Sequence, residues 1–148
     1  ERSRGLGDVY KRQAGDAGRE TSGTGGDVMR TVEIRTYRLK PGFSEHFEAA
    51  MRDALALVRC SMDVVAFGRS DHEEPSYFLI RAFDSDAELS SRQEAFYSSS
   101  AWRDGPRESI VQCLDVYLNT VLEMSEQTVK ALRSQHGKGL GPGWEPSP

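Results

Sequence analysis

The sequence predicts an α+β fold of the ferredoxin-like kind: element order β-α-β-β-α-β, a four-stranded antiparallel sheet and both helices on one face. Three observations carry this expectation. Four stretches of strand length are rich in β-branched and aromatic residues, two amphipathic stretches of helical spacing lie between them, and a short polar connection makes the middle two strands a hairpin.

Residues 31–39, Thr-Val-Glu-Ile-Arg-Thr-Tyr-Arg-Leu, alternate in polarity and stop at Lys40-Pro41-Gly42. Ser44 is placed to cap a helix with Glu45 in its first turn, and Phe43, Phe47, Met51, Ala54 and Val58 recur at helical spacing to about Arg59. Residues 62–69 and 76–83 form the predicted hairpin, joined by Ser70-Asp71-His72-Glu73-Glu74-Pro75. Ser85 followed by Glu88 is a capping box that opens a helix to Ser98, with Leu89 and Phe96 inward. Gly105-Pro106 restarts a short helix through Cys113, and residues 114–122 make the last strand. Ser125, with Glu126 in the first turn, opens a terminal helix to Arg133 that buries Val129 and Leu132; Thr128 stands where a capping box would need Glu or Gln.

Glycine marks the limits of the folded unit. Of 14 glycines, seven lie in residues 1–28 and four in 137–143, so the predicted domain is 29–124, followed by a short helix and a Gly/Pro tail over 125–148. Residues 1–28 hold almost nothing to bury and are expected to be disordered. Asp8-Val9-Tyr10-Lys11-Arg12-Gln13 is also one translation of a transposon-end adaptor, which points to a non-native leader with Met29 as the native start. A natural disordered arm is the alternative.

Composition narrows the function classes. Nineteen basic against 23 acidic residues give a net charge of −4, and residues 29–124 alone hold 11 basic against 16 acidic. No basic patch offers nucleic acid a surface. No apolar run nears the roughly 18 residues of a bilayer span, so neither membrane nor nucleic acid is an expected partner. Two cysteines, Cys60 and Cys113, suit a reducing cytoplasm.

The two side-chain sets of the sheet differ. Val32, Ile34, Thr36, Val64, Ala66, Phe78, Ile80, Ala82, Val116, Leu118 and Thr120 are mostly apolar and are expected under the helices. The other set is Glu33, Arg35, Tyr37, Leu39, Asp63, Val65, Phe67, Tyr77, Leu79, Arg81, Phe83, Asp115, Tyr117, Asn119 and Val121. It is too aromatic for a solvated face, so a second copy of the sheet is expected to cover it in a homodimer. Glu33, Arg35, Asp63, Arg81 and Asp115 would then lie in or near the space between subunits, either as an ion-pair network or as a site for an acidic or carbonyl-bearing small molecule, with Tyr37, Tyr77 and Tyr117 supplying hydroxyls and Asn119 beside them.

Three stretches together resemble the NIPSNAP family over residues 30–124. They are Glu33-Ile34-Arg35-Thr36-Tyr37-Arg38-Leu39-Lys40-Pro41-Gly42, the strand Phe78-Leu79-Ile80-Arg81-Ala82-Phe83, and Phe96-Tyr97-x-Ser99-x-x-Trp102-Arg103-x-Gly105-Pro106-Arg107-Glu108. The resemblance implies the dimeric α+β barrel fold and a cytoplasmic, bacterial-type single-domain member, and it implies no reaction. Trp102 is expected to anchor the turn over the preceding helix, while Arg103 and Arg107 either serve structure or bracket an anionic group.

Metal and cofactor chemistry finds no pattern here. His46, His72 and His136 share no ligand spacing, the cysteines stand alone, and the glycine-rich pieces neither follow strands nor open helices. Some relatives in the superfamily bind haem through one histidine, for which His46 would be the candidate; a solvated first-turn residue is the simpler account. The function expected is small-molecule binding by a homodimer without cofactor. The alternative is a cofactor-independent oxygenase or isomerase in which Arg35, Arg81 and a nearby Tyr or Asp polarise a carbonyl and move a proton.

Overall fold

A computed structural model describes residues 27–70 and 75–136. The leader, the acidic hairpin tip with His72 and the Gly/Pro tail lie outside the described residues. The strands are β1 (Met29–Leu39), β2 (Asp63–Arg69), β3 (Ser76–Phe83) and β4 (Leu114–Ser125). The helices are α1 (Ser44–Ser61), α2 (Asp86–Tyr97), the short α3 (Ser100–Arg103) and α4 (Arg107–Val111), and α5 (Glu126–His136). The sheet is antiparallel in the order β2-β3-β1-β4, the arrangement a ferredoxin-like fold requires.

Local chemistry accounts for the element ends. Gly42 takes the left-handed conformation, φ 84°, at the turn after β1. Phe43, not Ser44, holds the N-cap position of α1, and no side chain caps it. The turn itself starts the helix, with Phe43 N donating to Lys40 O and Phe47 N to Phe43 O. At α2 the Ser85 hydroxyl accepts from Glu88 N at 3.1 Å while the Glu88 carboxylate accepts from Asp84 N at 2.7 Å. At α5 the Ser125 hydroxyl accepts from Thr128 N at 3.2 Å and also meets the Thr128 hydroxyl, so Thr128 takes part in the cap that a Glu would otherwise complete.

The faces of the sheet are the reverse of the sequence expectation. Helices α1 and α2 cover the aromatic, charge-bearing face. Tyr37, Leu39, Phe67, Tyr77, Leu79 and Phe83 pack with Phe47, Met51, Leu55, Leu89 and Phe96 in one core. The smaller set forms a second cluster, in which Val32, Ala66, Ile80 and Ala82 pack against Val129 of α5, with Ile34 and Phe78 partly covered. Volume decides this: Phe47 sits 5.3 Å from the Tyr37 ring centroid and 4.9 Å from that of Tyr77, a stack that a face of Val, Ala and Thr does not fill. The charges were the misleading signal, because Arg35 and Arg81 are drawn to Glu33 within the same chain.

Strand β2 departs from simple alternation. A register shift between Val64 and Ala66 is a bulge, so Val64 and Phe67 face the helices while Val65 and Ala66 both join the α5 cluster. Asp63 is thereby turned to the rim, where it meets Arg30 at 3.2 Å and Arg133 at 2.9 Å. Asp115 likewise lies outside any enclosed space, paired with Arg38 at the exposed edge of β4.

The turn between α3 and α4 is tight enough to depend on one glycine. A Cβ on Gly105 would stand 2.2 Å from the Ala101 carbonyl oxygen, a backbone atom that cannot swing aside. Gly105→Ala is expected to lower stability by about 1–3 kcal/mol, seen as a lower urea midpoint; an unchanged midpoint would contradict the packing of this turn.

Candidate functional site

Alternation on β1 and β3 sends Glu33, Arg35 and Arg81 to the helix side, and cross-strand register sets Glu33 directly opposite Arg81. Both are fully buried and Arg35 is 5% exposed. Arg81 Nε donates to Glu33 Oε1 at 2.8 Å, its Nη2 donates to the same oxygen, and Arg35 Nη2 donates to Oε2 at 3.2 Å. Helix α2 closes the cluster from above: Gln93 Nε2 donates to Glu33 Oε1 at 3.0 Å, and the Tyr97 hydroxyl accepts from Arg35 Nη1 at 2.8 Å and Arg81 Nη1 at 3.0 Å. Asn119 on β4 steadies Arg35 by accepting from its Nε at 2.8 Å.

Beside this cluster a cavity of about 330 Å³ opens between sheet and helices. Its buried end shows Arg35, Tyr37, Tyr97 and Leu79; Met51, Ala54 and Val58 of α1 make one wall, and Trp102, Ile110, Leu114 and Tyr117 continue the lining. The outer end carries Val111 and the Arg107–Glu108 pair, 2.9 Å apart. The rings of Tyr97 and Trp102 meet edge-on at 5.3 Å, and the Arg35 guanidinium lies 5.5 Å from the Tyr97 centroid and 5.6 Å from that of Tyr117. The result is an apolar pocket with one strongly polar end, the usual plan of a small-molecule site.

Electrostatics follow from that geometry. Burial works against the charge on Glu33, but Arg81 and Arg35 outweigh it and hold the carboxyl below its ordinary range. Burial also pushes the Tyr97 phenol up, yet the two guanidiniums pull harder and leave it below the ordinary tyrosine value. Tyr37, buried in the same pocket and only partly helped by Arg35, is raised instead. Two phenols sharing one pocket are thus driven in opposite directions.

The sequence-predicted site residues divide into three groups. Arg35, Tyr37, Tyr117, Trp102 and Arg107 line the cavity. Glu33, Arg81 and Asn119 stand behind it and position Arg35. Tyr77 and Arg103 do not belong: the Tyr77 hydroxyl donates to Glu48, its ring stacks on Phe67, and Arg103 is exposed. Tyr97 and Gln93 went unrecognised. Their signal was present, since Leu89, Gln93 and Tyr97 are spaced four apart on α2, and a Gln on an otherwise inward stripe needs a buried partner.

His46 is exposed and meets Gln112 at 2.9 Å, away from the cavity lining. A shallower hollow of about 360 Å³ at the other end of the sheet sets Arg30, Arg59 and Arg92 against Asp63, Asp84 and Glu88, three charges of each sign. Among the described residues, no helix is long and apolar enough to cross a membrane.

No family model and no curated protein matches the sequence. Solved structures do match. A NIPSNAP family protein of unknown function from Agrobacterium tumefaciens superposes with a TM-score of 0.60 at 20% identity, covering 65% of this chain and 88% of that one. An uncharacterised NIPSNAP-like domain protein from Burkholderia xenovorans gives 0.58 at 19% identity, over 63% and 83%. A Bordetella bronchiseptica protein named as a candidate antibiotic biosynthesis monooxygenase gives 0.50 at 21% identity, over 64% and 94%. The chain therefore has the ferredoxin-like α+β fold of the NIPSNAP proteins.

Proposed function

We propose that this chain is a NIPSNAP-type, cytoplasmic homodimer in which each subunit binds one small, largely apolar molecule carrying an anionic or carbonyl head. The ligand lies between a subunit's own sheet and helices, not between the sheets of two subunits. One observation supports this above the rest: the buried end of the cavity presents Arg35, and behind it two guanidiniums face a single carboxylate. Arg35 has five N–H groups and directs them to Asn119, Tyr97, Glu33 and Tyr37, which leaves one donor for an incoming oxygen. Both cysteines are free, in keeping with a reducing compartment.

The opposed tyrosines favour a second reading, in which the same pocket moves a proton on a carbonyl substrate and Tyr97 and Tyr37 divide the roles of base and acid. Both readings place the ligand head against Arg35.

Support for the dimer comes from the open face of the sheet. Helix α5 covers its β2 side, while on β4 Leu118 is 64% exposed and Leu122 37%. Side chains of that kind on a flat sheet face need a cover, and a second copy related by a twofold axis supplies it.

Binding of 2-naphthoate, read by calorimetry at neutral pH, is expected for the native protein and is expected to weaken by about tenfold or more in Arg35→Met, the worth of one charge-assisted contact. Equal affinity in the two proteins would contradict the placement of the head. Leu118→Asp is expected to convert a dimer to a folded monomer in sedimentation velocity; a native protein that sediments as a monomer would contradict the dimer.

A further inference from the structure

The buried cluster beside the pocket does not balance in charge. Among the described residues it holds Arg35 and Arg81 against Glu33 alone, all three almost wholly removed from solvent. The surroundings do not correct this. Besides Glu33 and Arg35, β1 contributes Tyr37; β3 contributes Arg81; β4 contributes Asn119 and Tyr117; and α2 contributes Gln93. Helix α1 faces the pocket with Met51, Ala54 and Val58, which carry no charge. At the outer end Arg107 and Glu108 cancel each other. One buried positive charge therefore has no fixed carboxylate, which is costly and favours a second anion beside it.

Both guanidiniums converge on one oxygen. The Tyr97 hydroxyl accepts Nη1–H from Arg35 and from Arg81, at 2.8 and 3.0 Å. Two cationic donors on one phenol oxygen occupy its lone pairs and favour its anion over its neutral form. The rings of Phe96 and Trp102, edge-on at 5.1 and 5.3 Å, fix the phenol in that position, and it also lines the cavity.

Resting on the ligand class proposed above, we infer that Tyr97 is the exchangeable second anion of the pocket: in the empty protein its phenolate balances the cluster, and an anionic ligand head replaces that charge while Tyr97 takes up one proton. The count closes in both states. Empty, two guanidiniums face Glu33 and the phenolate; occupied, they face Glu33 and the ligand, with the proton drawn from solvent onto the Tyr97 oxygen. The lowered ionisation of Tyr97 agrees with this arrangement. The site thereby selects an anion. A carboxylate or enolate can exchange with the phenolate, whereas a neutral amide or ketone brings no charge to exchange.

Linkage gives the sign. Below the phenol's ionisation in the empty protein Tyr97 is already protonated and affinity is flat; above it, affinity falls by about tenfold per pH unit, because one proton enters with each ligand. Two measurements test this. Phenolate absorbance of the empty protein, titrated with alkali, is expected to show one tyrosine ionising below the usual value of about 10, and Tyr97→Phe is expected to remove that step. Calorimetry with 2-naphthoate across the same pH range is expected to show proton uptake and falling affinity in the native protein, and neither in Tyr97→Phe. Absence of the early tyrosine, or the same pH dependence in both proteins, overturns the inference. Failure of 2-naphthoate to bind at any pH overturns the ligand class instead, and the alkaline titration still decides the role of Tyr97. If Tyr97→Phe does not fold, the native protein alone suffices: bound 2-naphthoate must move the early step to higher pH, and a fixed step overturns the exchange.

Discussion

Everything on the helix side of this sheet is arranged around the Glu33 carboxylate, which sits fully buried between Arg81 and Arg35. A charge in that position must be paired or be expelled, and pairing fixes more than one element at once. Glu33 and Arg81 are direct neighbours across β1 and β3, so their contact belongs to a single register. Gln93 and Tyr97 then seat α2 over the pair, and Asn119 brings β4 into it. With Glu33 held in this way, a face rich in aromatic rings packs under α1 and α2, and the gap beside the cluster is left as a pocket.

The elements were legible in the sequence because local chemistry names them. The capping box of Ser85 and Glu88, the Pro41-Gly42 turn and the alternation of 31–39 each act over a few residues. The choice of face was not legible, because it depends on three-dimensional pairing. Arg35 and Arg81 read as charges for the space between two subunits, and only their geometry around Glu33 shows that they lie under the protein's own helices. Strand β2 hid its register for a related reason. The bulge at Val64–Ala66 puts two successive apolar residues on one face, and period-two counting cannot detect it.

The site was legible in its chemistry and not in its membership. Arg35, Tyr37 and Tyr117 followed from the strand pattern, whereas Tyr97 lies on α2, and its importance comes from two guanidiniums that reach it from different strands. Tyr77 shows the converse. It shares β3 with Arg81 but is four residues away, and Glu48 of α1 takes its hydroxyl. The fold shared with NIPSNAP proteins at about one residue in five identical carries no chemistry with it, so function has to be argued from the pocket.

The central claim is that Glu33 and Arg81 act as one unit, and a double-mutant cycle of Glu33→Met and Arg81→Met, read by urea unfolding, tests it most directly. Each single variant strands a buried charge and is expected to lose about 3–5 kcal/mol. The double variant is expected to lose less than the sum of the two, by at least about 1 kcal/mol. Losses that simply add, or single variants as stable as the native protein, would contradict the account.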